Sequence, residues 1–146
     1  MVITLHACDT ATDFALFNAI QWDARMIFSV PCCQHELNGQ MEPEHLSILS
    51  RYGILKERFA ALSTDAIRGN LLESCGYKTQ LLEFIDLAHT PKNVLIRAVK
   101  ANIPVSSRKK ALAEVQALAE EFHFQPTLYE LLKNVGKIPR VSSPNS

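Results

Sequence analysis

Two periods of apolar spacing alternate along this chain. Residues 2–6 form a short run with β-branched members, closed by the polar triplet Cys8-Asp9-Thr10, and predict a strand. Apolar residues 14, 16, 17 and 20 fall on one helical face, and a Thr or Asp within Thr10–Asp13 can accept the free first-turn N–H groups. Residues Arg25–Val30 predict a second strand, ended by Pro31, which has no N–H for a ladder. Residues 2–30 therefore read strand–helix–strand, which implies parallel strands joined by a right-handed crossover.

Beyond the loop 31–41, residues 43–75 are expected to be mainly helical, with breaks at Gly53, Gly69 and Gly76. Two β-rich runs follow, Tyr77–Asp86 and Asn93–Lys100. The segment Leu87–Lys92 between them is too short for a helical crossover, so the pair should be antiparallel. Ser107–Phe124 predicts a long amphipathic helix, with Leu112, Val115, Leu118 and Ala119 on one side to cover the sheet. A shorter helix is expected near Thr127–Lys133. The fold class is α/β: a parallel βαβ unit, an antiparallel strand pair, then C-terminal helices. We divide it into a sheet-bearing part (1–104), a helical extension (105–139) and a polar tail (140–146) expected to be disordered.

Composition narrows the function classes. Lys plus Arg and Asp plus Glu number 15 each, so no global charge advertises a nucleic-acid or membrane partner. No apolar run approaches the roughly 20 residues that span a bilayer, and the N-terminus lacks the basic flank and apolar stretch of a signal peptide. Four cysteines, two of them the adjacent Cys32 and Cys33, do not form a disulfide-scaffold spacing, which favours a reducing cytoplasm. Between Asp86 and Glu114 there is no acid, while Lys92, Arg97, Lys100, Arg108, Lys109 and Lys110 lie there. That stretch reads either as a phosphate-tracking patch or as a solvated strand edge and helix start, and zero net charge favours the second.

The chemistry gathers in two loops. In open α/β sheets ligands bind beyond the carboxyl ends of parallel strands. His6 to Asp13 and Pro31 to Leu37 occupy that position and are dense in His, Cys and carboxylate. His6 or Asp9 can serve as a base, the imidazole having the better-suited ordinary pKa. The bland alternatives are that His6 bonds a loop carbonyl and Asp13 caps the next helix. Cys8, Cys32, Cys33 and His35 have zinc-ligand chemistry, but adjacent cysteines lack the usual two-residue gap. Cys8 and Cys32 also suit a thiolate nucleophile, of the kind that pyrimidine C5 methylation requires. Cys33 is read as a small buried hydrophobe, and Cys75, before Gly76 at a helix end, as structural.

Together, Leu5-His-Ala-Cys-Asp-Thr-Ala-Thr-Asp13 and Val30-Pro-Cys-Cys-Gln-His-Glu-Leu37 resemble the paired signature loops of a family of S-adenosylmethionine (SAM)-dependent methyltransferases. That family carries a His-x-Cys-[Gly/Asp]-x-Ala-Thr-Asp loop and a Cys-Cys-x-His loop, and it includes a tRNA 2′-O-methyltransferase branch. The resemblance covers roughly residues 1–100. It implies a Rossmann-like methyltransferase sheet of which the four strands here are the fourth to seventh, SAM as cofactor and an RNA acceptor. His6, Cys8, Asp9, Cys32 and His35 become candidate catalytic residues, and Asp13 and Pro31 candidate cofactor-binding residues. The family's upstream Gly-rich loop has no counterpart: the glycines are 39, 53, 69, 76 and 136, with no Gly-x-Gly.

We therefore expect the C-terminal half of a methyltransferase domain, inactive without a cofactor-binding half that a partner chain could supply. The alternatives are a non-catalytic interaction module and a zinc or thiol redox protein. The methyltransferase reading rests on one geometric expectation: His6 and Cys32 must meet at the same rim of one sheet.

Overall fold

A computed structural model describes residues 1–84 and 93–138. The elements are β1 (Val2–Cys8), α1 (Thr10–Gln21), β2 (Met26–Cys33), α2 (Glu36–Gln40), α3 (Ile48–Arg51), α4 (Gly53–Ser74), β3 (Tyr77–Phe84), β4 (Asn93–Lys100), α5 (Val105–Phe122) and α6 (Thr127–Asn134). Residues 85–92, which include the expected end of the first β-rich run and Lys92, and residues 139–146, which include the polar tail, lie outside the described residues.

The four strands form one sheet in the order β1-β2-β4-β3. β1 and β2 are parallel, β4 runs antiparallel to β2, and β3 runs antiparallel to β4. β3 therefore points the same way as β1 and β2, with β4 inserted against the grain. The expected α/β architecture, a parallel pair followed by an antiparallel pair, is present, and it is that of a partial Rossmann-like sheet.

Strand parity separates the two faces. Ile27, Ser29, Ile96, Ala98 and Tyr77 are buried on one face, and the Thr4 hydroxyl donates to Ser29 Oγ at 2.7 Å there. This face shares a single core with Leu16, Ala19 and Ile20 of α1, Ile67, Leu71 and Leu72 of α4, Leu112 and Val115 of α5, and Leu128 and Leu132 of α6. Residues of the segment read as a helical extension thus pack into the sheet's own core. The opposite face carries the row Ile3–Phe28–Arg97–Gln80, in register across all four strands. None of those residues joins the core, and Ile3 and Leu5 remain 55% and 66% exposed. Among the described residues, no helix covers this face.

Three local expectations need correction. Pro31 does not end β2. The strand continues to Cys33, because β4 pairs with β2 only as far as Ser29 and β1 is bulged opposite Pro31, so no ladder bond there needs the missing N–H. Gly69 does not break α4, which runs through it. The 31–41 loop is not all coil, since its second half is the short α2.

Candidate functional site

The site is built by two irregularities at the carboxyl end of β1. The register with β2 slips between Leu5 and Ala7 and again between Ala7 and Cys8. His6 (φ 54°) and Asp9 (φ 46°, ψ −122°) both take positive φ. That conformation is uncommon for non-glycine residues, and the Asp9 pair of angles suits glycine. The bulge leaves the imidazole of His6 and the thiol of Cys8 exposed at the rim.

Asp9 ties the two loops together. Its N–H donates to the Cys33 carbonyl at 3.1 Å, and its Oδ1 accepts from the N–H groups of His35 (3.2 Å) and Glu36 (3.1 Å). These are the first free donors of α2, so a residue distant in sequence caps that helix. Glu36 passes the connection on: its half-buried carboxylate accepts from the backbone N–H and the hydroxyl of Thr127, at the start of α6. Burial holds the Glu36 carboxyl above its usual range, although the Thr127 bonds work against the shift.

Beneath the rim lies a charged network. Asp13 is 2% exposed, and the guanidinium of Arg68, 1% exposed, grips it through two bonds of 2.9 Å, Nε to Oδ1 and Nη2 to Oδ2. Arg68 Nη2 also donates to the Asp9 carbonyl (2.9 Å), and Nη1 to Asp65 Oδ1 (3.3 Å). Gln34, in the second loop, donates to both oxygens of Asp65 at 3.1–3.3 Å. Burial pushes the Asp65 carboxyl up despite the opposing charge of Arg68. Burial works against the Arg68 charge, but the bonds to Asp13 and the nearby Asp65 hold its pKa above the ordinary value. One arginine from the middle of α4 thereby supports both rim loops from below.

The expected meeting of the loops is present: Cys8, Cys32 and Cys33 bring their sulfurs within 4.8 Å of one another, and Asp9 bonds the backbone at His35. Cys33 is half-buried; burial first, then its bond with the Cys8 thiol, raise its pKa. Asp13 does not cap α1; no side-chain cap bond exists there, and both its oxygens face Arg68. Asp13 and Pro31, the candidate cofactor-binding residues, are both buried. Cys75 packs against the core at the end of α4, away from the other three thiols, and burial raises its pKa. Sequence reasoning missed Arg68, Asp65 and Gln34. The only signal was an arginine and an aspartate three apart within an otherwise mixed helix.

The basic stretch is dispersed. Arg97 donates to Gln80 on the bare sheet face, Lys100 pairs with Asp23, and Arg108 donates to the Ser74 carbonyl. No helix among the described residues is long and apolar enough to cross a membrane.

No curated protein and no solved structure matches this chain. A family model described as a methyltransferase domain matches residues 1–40, the span that holds β1, α1, β2 and both rim loops.

Proposed function

We propose that this chain supplies the acceptor-side half of a SAM-dependent methyltransferase acting on RNA, with the cofactor held mainly by polypeptide lying along β1 and the bare sheet face. The observation that carries the reading is the convergence of both rim loops, inside the matched span, at the carboxyl ends of two parallel strands. The donors present do not fit a whole nucleoside cofactor: Asp13 is committed to Arg68, Pro31 is buried, and no Gly-x-Gly turn exists.

What this chain's residues do is orient and deprotonate. Methyl transfer from a sulfonium mainly needs in-line positioning and removal of the acceptor proton. His6, exposed on the bulge, is the base. Asp9, whose Oδ1 already accepts two N–H groups, positions the two loops. Cys8, Cys32 and His35 line the acceptor side, and Asp13 and Pro31 back it. The face that carries exposed Ile3 and Leu5 and half-buried Phe28 fits a complementing half, because parallel strands are normally covered on both faces.

Calorimetry of the full chain with SAM tests this division of labour. Binding weaker than millimolar is expected from the chain alone. Micromolar binding would show that the cofactor site is complete without further polypeptide and overturn the reading.

A further inference from the structure

Three of the chain's four cysteines occupy one small volume. Cys8 and Cys33 are register partners at the ends of β1 and β2, and Cys32 precedes Cys33. In a regular strand Cys32 and Cys33 would point to opposite faces. At this bulged strand end all three sulfurs lie within 4.8 Å of one another. Cys8 and Cys32 are exposed, so the cluster opens to the rim. The group includes no imidazole and no carboxylate.

We propose that Cys8, Cys32 and Cys33 form a three-thiolate site for a thiophilic d10 cation, Zn²⁺ or Cu⁺, with one coordination position open to the rim. A metal–sulfur bond of about 2.3 Å spaces tetrahedral thiolates by about 3.8 Å. A closure of at most about 1 Å between the sulfurs reaches that spacing, and exposed Cys8 and Cys32 are placed to make it. An all-sulfur donor set selects soft ions over Mg²⁺ or Ca²⁺. Zinc sites with three protein ligands keep the fourth place for water or a substrate. Binding exchanges up to three thiol protons for one ion and needs no oxidant.

The test uses the full chain purified under a phosphine reductant without chelators. Zn²⁺ is titrated against a chromophoric chelator, Cu⁺ anaerobically against its own chelator, and Co²⁺ is added as a spectroscopic probe. One equivalent of Zn²⁺ or Cu⁺ per chain and a thiolate-to-cobalt charge-transfer band are expected, and the tighter of the two ions names the metal. Even second-sphere losses cost 10–100-fold in metal affinity, so removing a ligand should cost at least ~100-fold. Cys32→Ser, at an exposed position, should show that loss with an unchanged circular-dichroism melt, as should Cys8→Ser. Cys75→Ser should bind as the parent does. Absence of the cobalt band, binding that survives the Cys8→Ser/Cys32→Ser pair, or equal loss in Cys75→Ser would overturn the proposal.

Discussion

Arg68 on α4 holds Asp13 on α1 in a two-pronged, buried ion pair, with both bonds at 2.9 Å. The same guanidinium reaches the Asp9 carbonyl, so α4 fixes the turn that follows β1. Arg68→Met would leave Asp13 and Asp65 buried without their countercharge. A cost of about 3–5 kcal/mol is expected in urea unfolding. Arg68→Lys should recover little, because an ammonium cannot reproduce the planar two-bond grip.

Asp9 answers two conflicting demands, a glycine-like backbone and an acceptor for the start of α2. Asp9→Ala loses the acceptor and keeps the strain. Asp9→Gly loses the acceptor but relaxes the backbone, which is worth about 1–3 kcal/mol. Chemical denaturation should rank Asp9→Gly above Asp9→Ala by at least ~1 kcal/mol, and both should shift the amide resonances of His35 and Glu36.

Gly69 faces Leu81 and Thr79, and an added Cβ would sit 3.6–3.8 Å from their side chains, an ordinary contact. Within a continuous helix, Gly69→Ala should therefore stabilise by about 0.5–1 kcal/mol in thermal or urea unfolding. A destabilised variant would mean that α4 and β3 approach more closely than described.

His45 and Glu121 pair at 2.8 Å and join the segment before α3 to α5. The Glu121 bond raises His45 above 6.5, and His45 holds Glu121 below 4.5. A raised histidine stabilises fully below its unfolded value, and that contribution is lost as pH climbs through the folded one. A lowered carboxylate stabilises above its unfolded value and loses the contribution as pH falls through the folded one. The pair is therefore complete between about pH 4.5 and 6.5. Proton NMR of the His45 ring should give a midpoint above 6.5 that returns toward it in Glu121→Gln.

Much of the fold was legible because period and length carry it: the parallel pair, the antiparallel pair and both late helices fall where apolar spacing puts them. The rim was legible as two loops dense in reactive groups. What held them was not. The pairing of Asp13 with Arg68 spans 55 residues, and a lone carboxylate ahead of a helix reads locally as a cap. Pro31 and Gly69 likewise misled, because their local rules yield to a strand whose β4 neighbour has stopped at Ser29 and whose β1 neighbour is bulged, and to a helix packed along its length.

If the two rim loops carry out methyl transfer, the chain isolated with its native partners from source cells, through a tag at its C-terminus, should move labelled methyl from SAM into ribonuclease-sensitive product. His6→Ala, isolated with the same partners, should lower that rate by about 100-fold or more, the usual reach of a general base. Label transfer unchanged by His6→Ala, or none at all from the native assembly, would contradict it.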